Sequence, residues 1–298
     1  MLSMSRVRNN TRMLAAAACT TLILASGPAW AQDAPTVDPN PGAVTITGSI
    51  DFLNQYMFRG LQQNNTGLVT WPAFDLGIAA YSGDGGLKGV GINFGTWNSL
   101  HSGNTGSDGP SGKMWYESDF YATLGFGFGK GTSFSTTYTA YTSPNSGFTT
   151  VKEISFKFAL DDSGYLGKGA VKPYVVLAQE FGTDIATGQA DGGENAGTYM
   201  EIGIAPGYYG ISRASIAFPI KLGFSLNDYY EGPEGDEKFG YFQIGGQIAA
   251  PLTSSTNKFG VWTVKGGIDI YAFGDTPKAF NNGDGSKVVA TFGIGVVY

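Results

Sequence analysis

The chain has 298 residues, a formal net charge of −6, 46 glycines and 14% aromatic residues, with one histidine and one cysteine. The acidic balance disfavours nucleic acid as a partner, since neutralising phosphates needs a basic surface. One histidine and one cysteine exclude His/Cys metal clusters, and no cofactor is expected.

Arg6, Arg8 and Arg12 precede an apolar run over residues 13–25 and then Ala29-Trp30-Ala31. This basic, apolar and small-x-small order is that of a secretory signal peptide, residues 1–31, with cleavage expected after Ala31. The run is too short to span a bilayer. Cys19 sits within it, ahead of Leu22, Ile23 and Leu24, which argues against lipidation. Removing the three arginines takes the net charge from −6 to −9 and leaves no cysteine in the mature chain. Residues 32–42 (QDAPTVDPNPG) have no apolar face and read as a periplasmic tail.

From residue 43 onward the sequence alternates. Val44, Ile46, Ile50, Phe52, Tyr56 and Phe58 share one parity; Thr45, Thr47, Ser49, Asp51, Gln55 and Arg59 share the other. Strands send successive side chains to opposite faces, so such segments have a greasy side and a wet one. Twelve strands are predicted, at 44–59, 68–81, 87–98, 114–128, 132–142, 149–160, 171–181, 198–206, 214–227, 239–250, 259–273 and 286–298. Most reach the ~9–11 residues that a tilted membrane strand needs. The fold expected for residues 43–298 is therefore all-β: a transmembrane antiparallel up-and-down β-barrel of about 12 strands in the bacterial outer membrane. A soluble sandwich would not explain the leader, the loop pattern and the terminal aromatic together.

The connections alternate between short (82–86, 129–131, 252–258) and long, polar ones (99–113, 182–197, 228–238, 274–285), as periplasmic turns and outer loops do. Pro72 and Pro219 fall inside strands and predict bulges or weak pairing there. Tyr56, Phe58, Tyr116, Phe181, Phe242, Trp262 and Tyr298 read as interfacial girdle. The C-terminal strand ending in Tyr298 is the expected signal for the barrel assembly machinery. Outer-membrane lipid and lipopolysaccharide are the expected surroundings. The acidic loop Glu231–Glu237 suits a hard cation, a bridge to lipopolysaccharide phosphates, or plain solvation.

If the apolar parity faces lipid, the other lines the interior. That set holds Asp51, Arg59, Glu117, Asp119, Tyr121, Glu153, Lys157, Glu180, Glu201, Lys221, Lys265 and Asp269, with Asp75, Lys172 and Tyr199 beside them. Acids outnumber bases, which predicts a weakly cation-preferring pore for small polar solutes. Salt bridges filling a narrow barrel are the competing reading. His101 reads as a loop residue: it adjoins Ser102 rather than standing two residues away, so the chain is not expected to be an enzyme. A lipid hydrolase built on His101 and a non-conducting structural or adhesion barrel are the alternatives. Gly125–Ser133 (GFGFGKGTS) lacks the Ser/Thr of a phosphate loop and reads as a tight turn.

Asn54-Gln55-Tyr56-Met57-Phe58-Arg59-Gly60-Leu61-Gln62-Gln63 resembles the SDYxFRGxSQ segment of the TorF-type porin family of proteobacteria, with Asn-Gln for Ser-Asp and Gln62 for Ser. Weaker echoes are Pro72–Asp75, Gly95–Ser99 and Tyr141–Asn145. The resemblance implies an outer-membrane porin and supplies no substrate or catalytic residue.

Overall fold

The computed structural model describes residues 42–103, 113–181, 195–211, 214–232, 235–254 and 257–298. The predicted signal peptide and its cleavage site, and all of the tail except Gly42, lie outside them. So do the three acids of the 182–197 loop, Asp184, Asp191 and Glu194.

Twelve antiparallel strands form a closed barrel: β1 (Val44–Leu53), β2 (Val69–Ser82), β3 (Leu87–His101), β4 (Trp115–Phe128), β5 (Thr132–Thr142), β6 (Val151–Leu160) and β7 (Tyr174–Phe181) come first. They are followed by β8 (Thr198–Ile204, resumed at Gly207–Ile211) and β9 (Ala214–Ala217, resumed at Ile220–Asn227). β10 (Phe239–Pro251), β11 (Val261–Phe273) and β12 (Ser286–Val297) complete the order. Each pairs with its chain neighbour, and β1 closes on β12 with Thr47 opposite Val297 and Leu53 opposite Thr291. Closure removes the sheet edge, so every strand finds two partners without water. The end holding Val44 and Tyr298 carries the short turns; the other is called the outer end below.

The alternation becomes an outer apolar belt. Ile50, Phe74, Phe94, Phe120, Ile154, Phe158, Ile202, Ile244, Ile268 and Phe292 all face outward and exposed. No helix among the described residues is long and apolar enough to cross a membrane. An exposed belt of this size belongs in lipid, so this is a barrel of the outer-membrane type.

Several boundaries differ from the alternation's prediction. The first strand ends at Leu53, not at residue 59: Tyr56–Phe58 and Leu61–Asn64 form a separate hairpin inside the barrel. Tyr56, Phe58 and Tyr116 are therefore buried rather than interfacial, whereas Phe181, Trp262 and Tyr298 are exposed. β3 runs on to His101, so that residue is the end of a strand and not of a loop. β7 starts at Tyr174 because the Asp162 carboxylate accepts the N–H groups of Val171 (3.1 Å) and Lys172 (2.9 Å), holding them in a turn. Burial in that turn lowers the Lys172 pKa to about 8. Pro219 splits β9 where a ladder donor is missing. At Pro72 the β2–β3 pairing lapses between Thr70 and Ala73. Gly129–Gly131 is a tight turn, as read, with Lys130 at φ 66°.

A lysine on the belt would lose lipid contact and force a charge into hydrocarbon. Phe292→Lys, at the middle of β12, is expected to destabilise the barrel by ~2–4 kcal/mol in lipid vesicles. Urea unfolding followed by tyrosine and tryptophan fluorescence measures this, with Thr291→Lys, facing inward, as the comparison.

Candidate functional site: a plugged, charged lumen

At Leu53 the chain leaves the barrel wall and turns inward. This strips the outer end of β12 of its partner, and side chains replace the lost ladder. Asn54 Oδ1 accepts Ala290 N–H at 2.8 Å, while Asn54 Nδ2 and Gln55 Nε2 donate to Val288 O at 3.2 and 2.7 Å. The inner hairpin then reverses at Arg59 (φ 47°) and Gly60 (φ 84°), the positive pair that primed hairpin turns require. Glycine adopts this readily; arginine there costs ~1–2 kcal/mol of backbone strain.

The hairpin sits between two apolar clusters. Tyr56, Met57 and Phe58 pack with Leu53, Trp71, Tyr141 and Val151, and Leu61 packs with Tyr199, Tyr229, Tyr230 and Tyr241. Its backbone is tied to the outer loops: Tyr230 Oη donates to Arg59 O (2.8 Å), Asn281 Nδ2 donates to Gly60 O (2.8 Å), and Gln62 N–H donates to Asn281 Oδ1 (2.8 Å). Asn281 follows the short helix Asp275–Phe280, so two outer connections hold the hairpin in place.

Arg59 makes the contact to the opposite wall. Its Nη1 and Nη2 donate to the two Glu153 oxygens on β6 at 2.6 and 2.9 Å, and Nη1 also reaches Tyr229 Oη at 3.0 Å. Its guanidinium carbon lies 4.2 Å from the centre of the Tyr199 ring. Burial works against the charge, and the forked pair with the Glu153 carboxylate offsets that cost. Burying four large side chains contributes roughly 6–12 kcal/mol. Ordering about eleven residues costs roughly the same or more at ~1–2 kcal/mol each. Apolar burial alone therefore does not hold the hairpin in, and its polar contacts are needed as well.

The wall around and below the hairpin carries the remaining predicted residues. Glu201 is a hub: Tyr174 Oη (2.6 Å), Tyr199 Oη (3.0 Å) and Tyr241 Oη (2.8 Å) all donate to it, and Lys221 Nζ lies 4.0 Å away. Lys157 Nζ stands 4.7 Å from the Tyr174 ring centre. Lys265 pairs with Asp51 at 2.8 Å, Gln243 donates to Asp269 (2.8 Å), and Asn93 donates to Asp75 (2.9 Å). Glu117, Asp119 and Glu180 are buried, and Tyr121, Lys157 and Lys265 are half-buried. Arg59 is the departure: it belongs to the inner hairpin, not to a barrel strand. Lys172 lies in a connection between strands rather than on a strand.

Glycines make room for this layer. Tyr121 lies over Gly95, Tyr174 over Gly203, Tyr241 over Gly223 and Tyr230 over Gly240, so that a methyl group at any of the four would meet the ring. Sequence reasoning missed this rule, although a glycine opposite a tyrosine on the neighbouring strand signals it.

His101 was read as an unpartnered loop residue, and that reading is corrected. Its Nε2 lies 2.8 Å from Ser99 Oγ, Trp71 Nε1 donates to the same oxygen at 3.0 Å, and the ring stacks on Tyr116 at 4.8 Å. Residues 99 and 101 share a parity on β3, which the shorter predicted strand concealed. In the acidic loop, Asp228, Glu231 and Asp236 bring carboxylate oxygens within 4.8 Å of one another; Glu231 already accepts Asn195 Nδ2 at 3.0 Å.

No family model and no curated protein matches the chain. Among solved structures it is similar to an outer-membrane channel from Pseudomonas putida F1, at 11% identity and TM-score 0.47, covering 87% of this chain and 97% of that one. It is similar to the NanC porin at 12% identity and TM-score 0.42, covering 85% and 99%. It is also similar to outer membrane phospholipase A from Escherichia coli at 11% identity and TM-score 0.41, covering 84% and 92%. Likenesses this distant assign no activity.

Glu153→Ala leaves Arg59 buried without its carboxylate and is expected to destabilise the folded barrel by about 3–5 kcal/mol. Gly203→Val drives Tyr174 off Glu201 and is expected to cost about 1–3 kcal/mol. Thermal loss of the folded form on semi-native gels measures both.

Proposed function

We propose that this chain is an exported outer-membrane channel for small polar solutes or ions, weakly cation-preferring and closed at rest by its inner hairpin. It would be a member of the TorF-type porin family inserted through the barrel assembly machinery by way of its C-terminal strand. The observation that carries this reading is the polar hold on the plug. The hairpin pairs only with itself, and Arg59 and a few side-chain amides fasten it to a lumen full of charge. A permanently filled barrel has no need of either. The twelve predicted residues then act by position. Arg59 and Glu153 latch the plug, and Glu180, Glu117 and Asp119 keep its surroundings acidic. Asp51, Tyr121, Lys157, Glu201, Lys221, Lys265 and Asp269 line the path below. Three bases are matched by Asp51, Glu153 and Glu201, so the surplus is acidic, which supports cation preference.

The Ser99–His101 hydrogen bond favours one competing reading, a lipid hydrolase. Both side chains are fully buried and share the inward face of β3 with Trp71 and Tyr116 packed against them. Among the described residues neither side chain reaches the lipid-facing surface, and we assign no hydrolysis.

Planar-bilayer recording tests the channel. The wild-type barrel is expected to conduct weakly, and replacing residues 56–62 by a Gly/Ser linker is expected to raise conductance at least severalfold, with reversal potentials showing cation preference at neutral pH. A linker variant that is folded yet silent would overturn the channel; anion preference would overturn the charge argument. His101→Ala is expected to leave lipid turnover in vesicles at background.

A further inference from the structure

The seat of Arg59 is built mostly from the barrel, not from the hairpin. Glu153 lies on β6, Tyr141 on β5, Tyr199 on β8 and Tyr229 just beyond β9, and each is at most 2% exposed. Tyr141 Oη donates to Glu153 Oε1 at 3.2 Å, and Ser225 Oγ accepts Tyr229 N–H at 3.0 Å, so the walls are held by their own contacts. Glu180 stands directly across the ladder from Glu153 and adds a second carboxylate, fixed by the N–H of Gly197 at 3.0 Å. The wall behind the guanidinium thus carries two carboxylates on neighbouring strands, one of them paired with Arg59.

The shape of the seat selects among cations. Glu153 offers two oxygens to two N–H groups in a fork, and Tyr199 offers a flat face beside it. A planar guanidinium matches both features; a compact ammonium matches neither as well. Arg59 itself fills the seat incompletely. Its buried Nε has no hydrogen-bond partner among the described residues, and its backbone is held at positive φ to bring the side chain there. A free guanidinium solute carries neither burden.

We infer that the seat formed by Glu153, Glu180, Tyr141, Tyr199 and Tyr229 is a binding site for guanidinium-bearing solutes, and that Arg59 is the internal ligand such solutes displace. The transport half of this rests on the channel reading above: a solute that takes the seat releases the plug. The binding half does not.

The test uses the full-length refolded barrel and methylguanidinium chloride, with methylammonium chloride and potassium chloride at equal ionic strength. In Arg59→Gln the seat is vacated. Methylguanidinium is expected to raise its thermal midpoint while the other two salts do not. Adding Glu153→Gln is expected to weaken the apparent affinity roughly tenfold to a hundredfold, the loss that follows from removing a charge-assisted pair of hydrogen bonds. In bilayers, methylguanidinium is expected to block Arg59→Gln currents and to increase those of the wild type, opposite signs for one competition.

A folded Arg59→Gln that responds alike to all three salts overturns the site, whatever the currents do. A selective thermal shift with silent bilayers supports the site and overturns the channel. Should Arg59→Gln fail to fold, the wild type decides: selective opening by methylguanidinium supports the inference, and equal responses to the three salts overturn it.

Discussion

A sheet closed upon itself in lipid leaves one place for charge, and that is its interior. The price of a charge there is a partner, because an unpaired carboxylate or guanidinium in a water-poor lumen costs several kcal/mol. The pairs Arg59–Glu153, Lys265–Asp51 and Lys221–Glu201 satisfy that constraint directly. The tyrosine hydroxyls satisfy it for Glu201, whose oxygens take three phenols as well as the nearby lysine.

The same constraint explains the glycines. A tyrosine can reach sideways along the wall to a carboxylate only if it lies down against that wall, and a neighbouring side chain would hold it up. Gly203 beneath Tyr174 and Gly223 beneath Tyr241 clear that space. Chain composition, aromatic placement and the hydrogen-bond network are in this sense one device. The hairpin completes it by bringing a cation from one side of the barrel to a wall otherwise rich in acids. It adds a mixed apolar and aromatic packing that no strand of the wall could provide.

Much of this was legible from parity. Ile50, Phe52 and Phe292 announce the lipid face, and Asp51, Glu153, Lys157 and Glu201 announce the other; both sets lie where alternation puts them. The hairpin was hidden by the same rule, since Tyr56 and Phe58 continue the even-numbered apolar series through Ile50 and Phe52. One residue breaks that series: Asn54 is polar on the lipid parity, and it marks the point where the chain leaves the wall. Arg59-Gly60 is the second mark, a turn pair inside an apparent strand. His101 was misread for a related reason, because the polar, glycine-containing run from Ser99 to Asn104 suggested a loop where β3 in fact continues with Ser99 and His101 facing inward. Polar inward residues end a strand on paper but not in a barrel whose interior is polar.

The central claim is that residues 54–64 are folded inside the lumen and kept there by Arg59 and Glu153. Amide hydrogen exchange of the refolded barrel, followed at Met57, Phe58 and Leu61, addresses it most directly. The account predicts slow exchange in the wild type, comparable with the barrel strands, and exchange faster by orders of magnitude once Glu153 is replaced by alanine in a barrel whose strands remain protected. Fast, loop-like exchange of these amides in the wild type would contradict it.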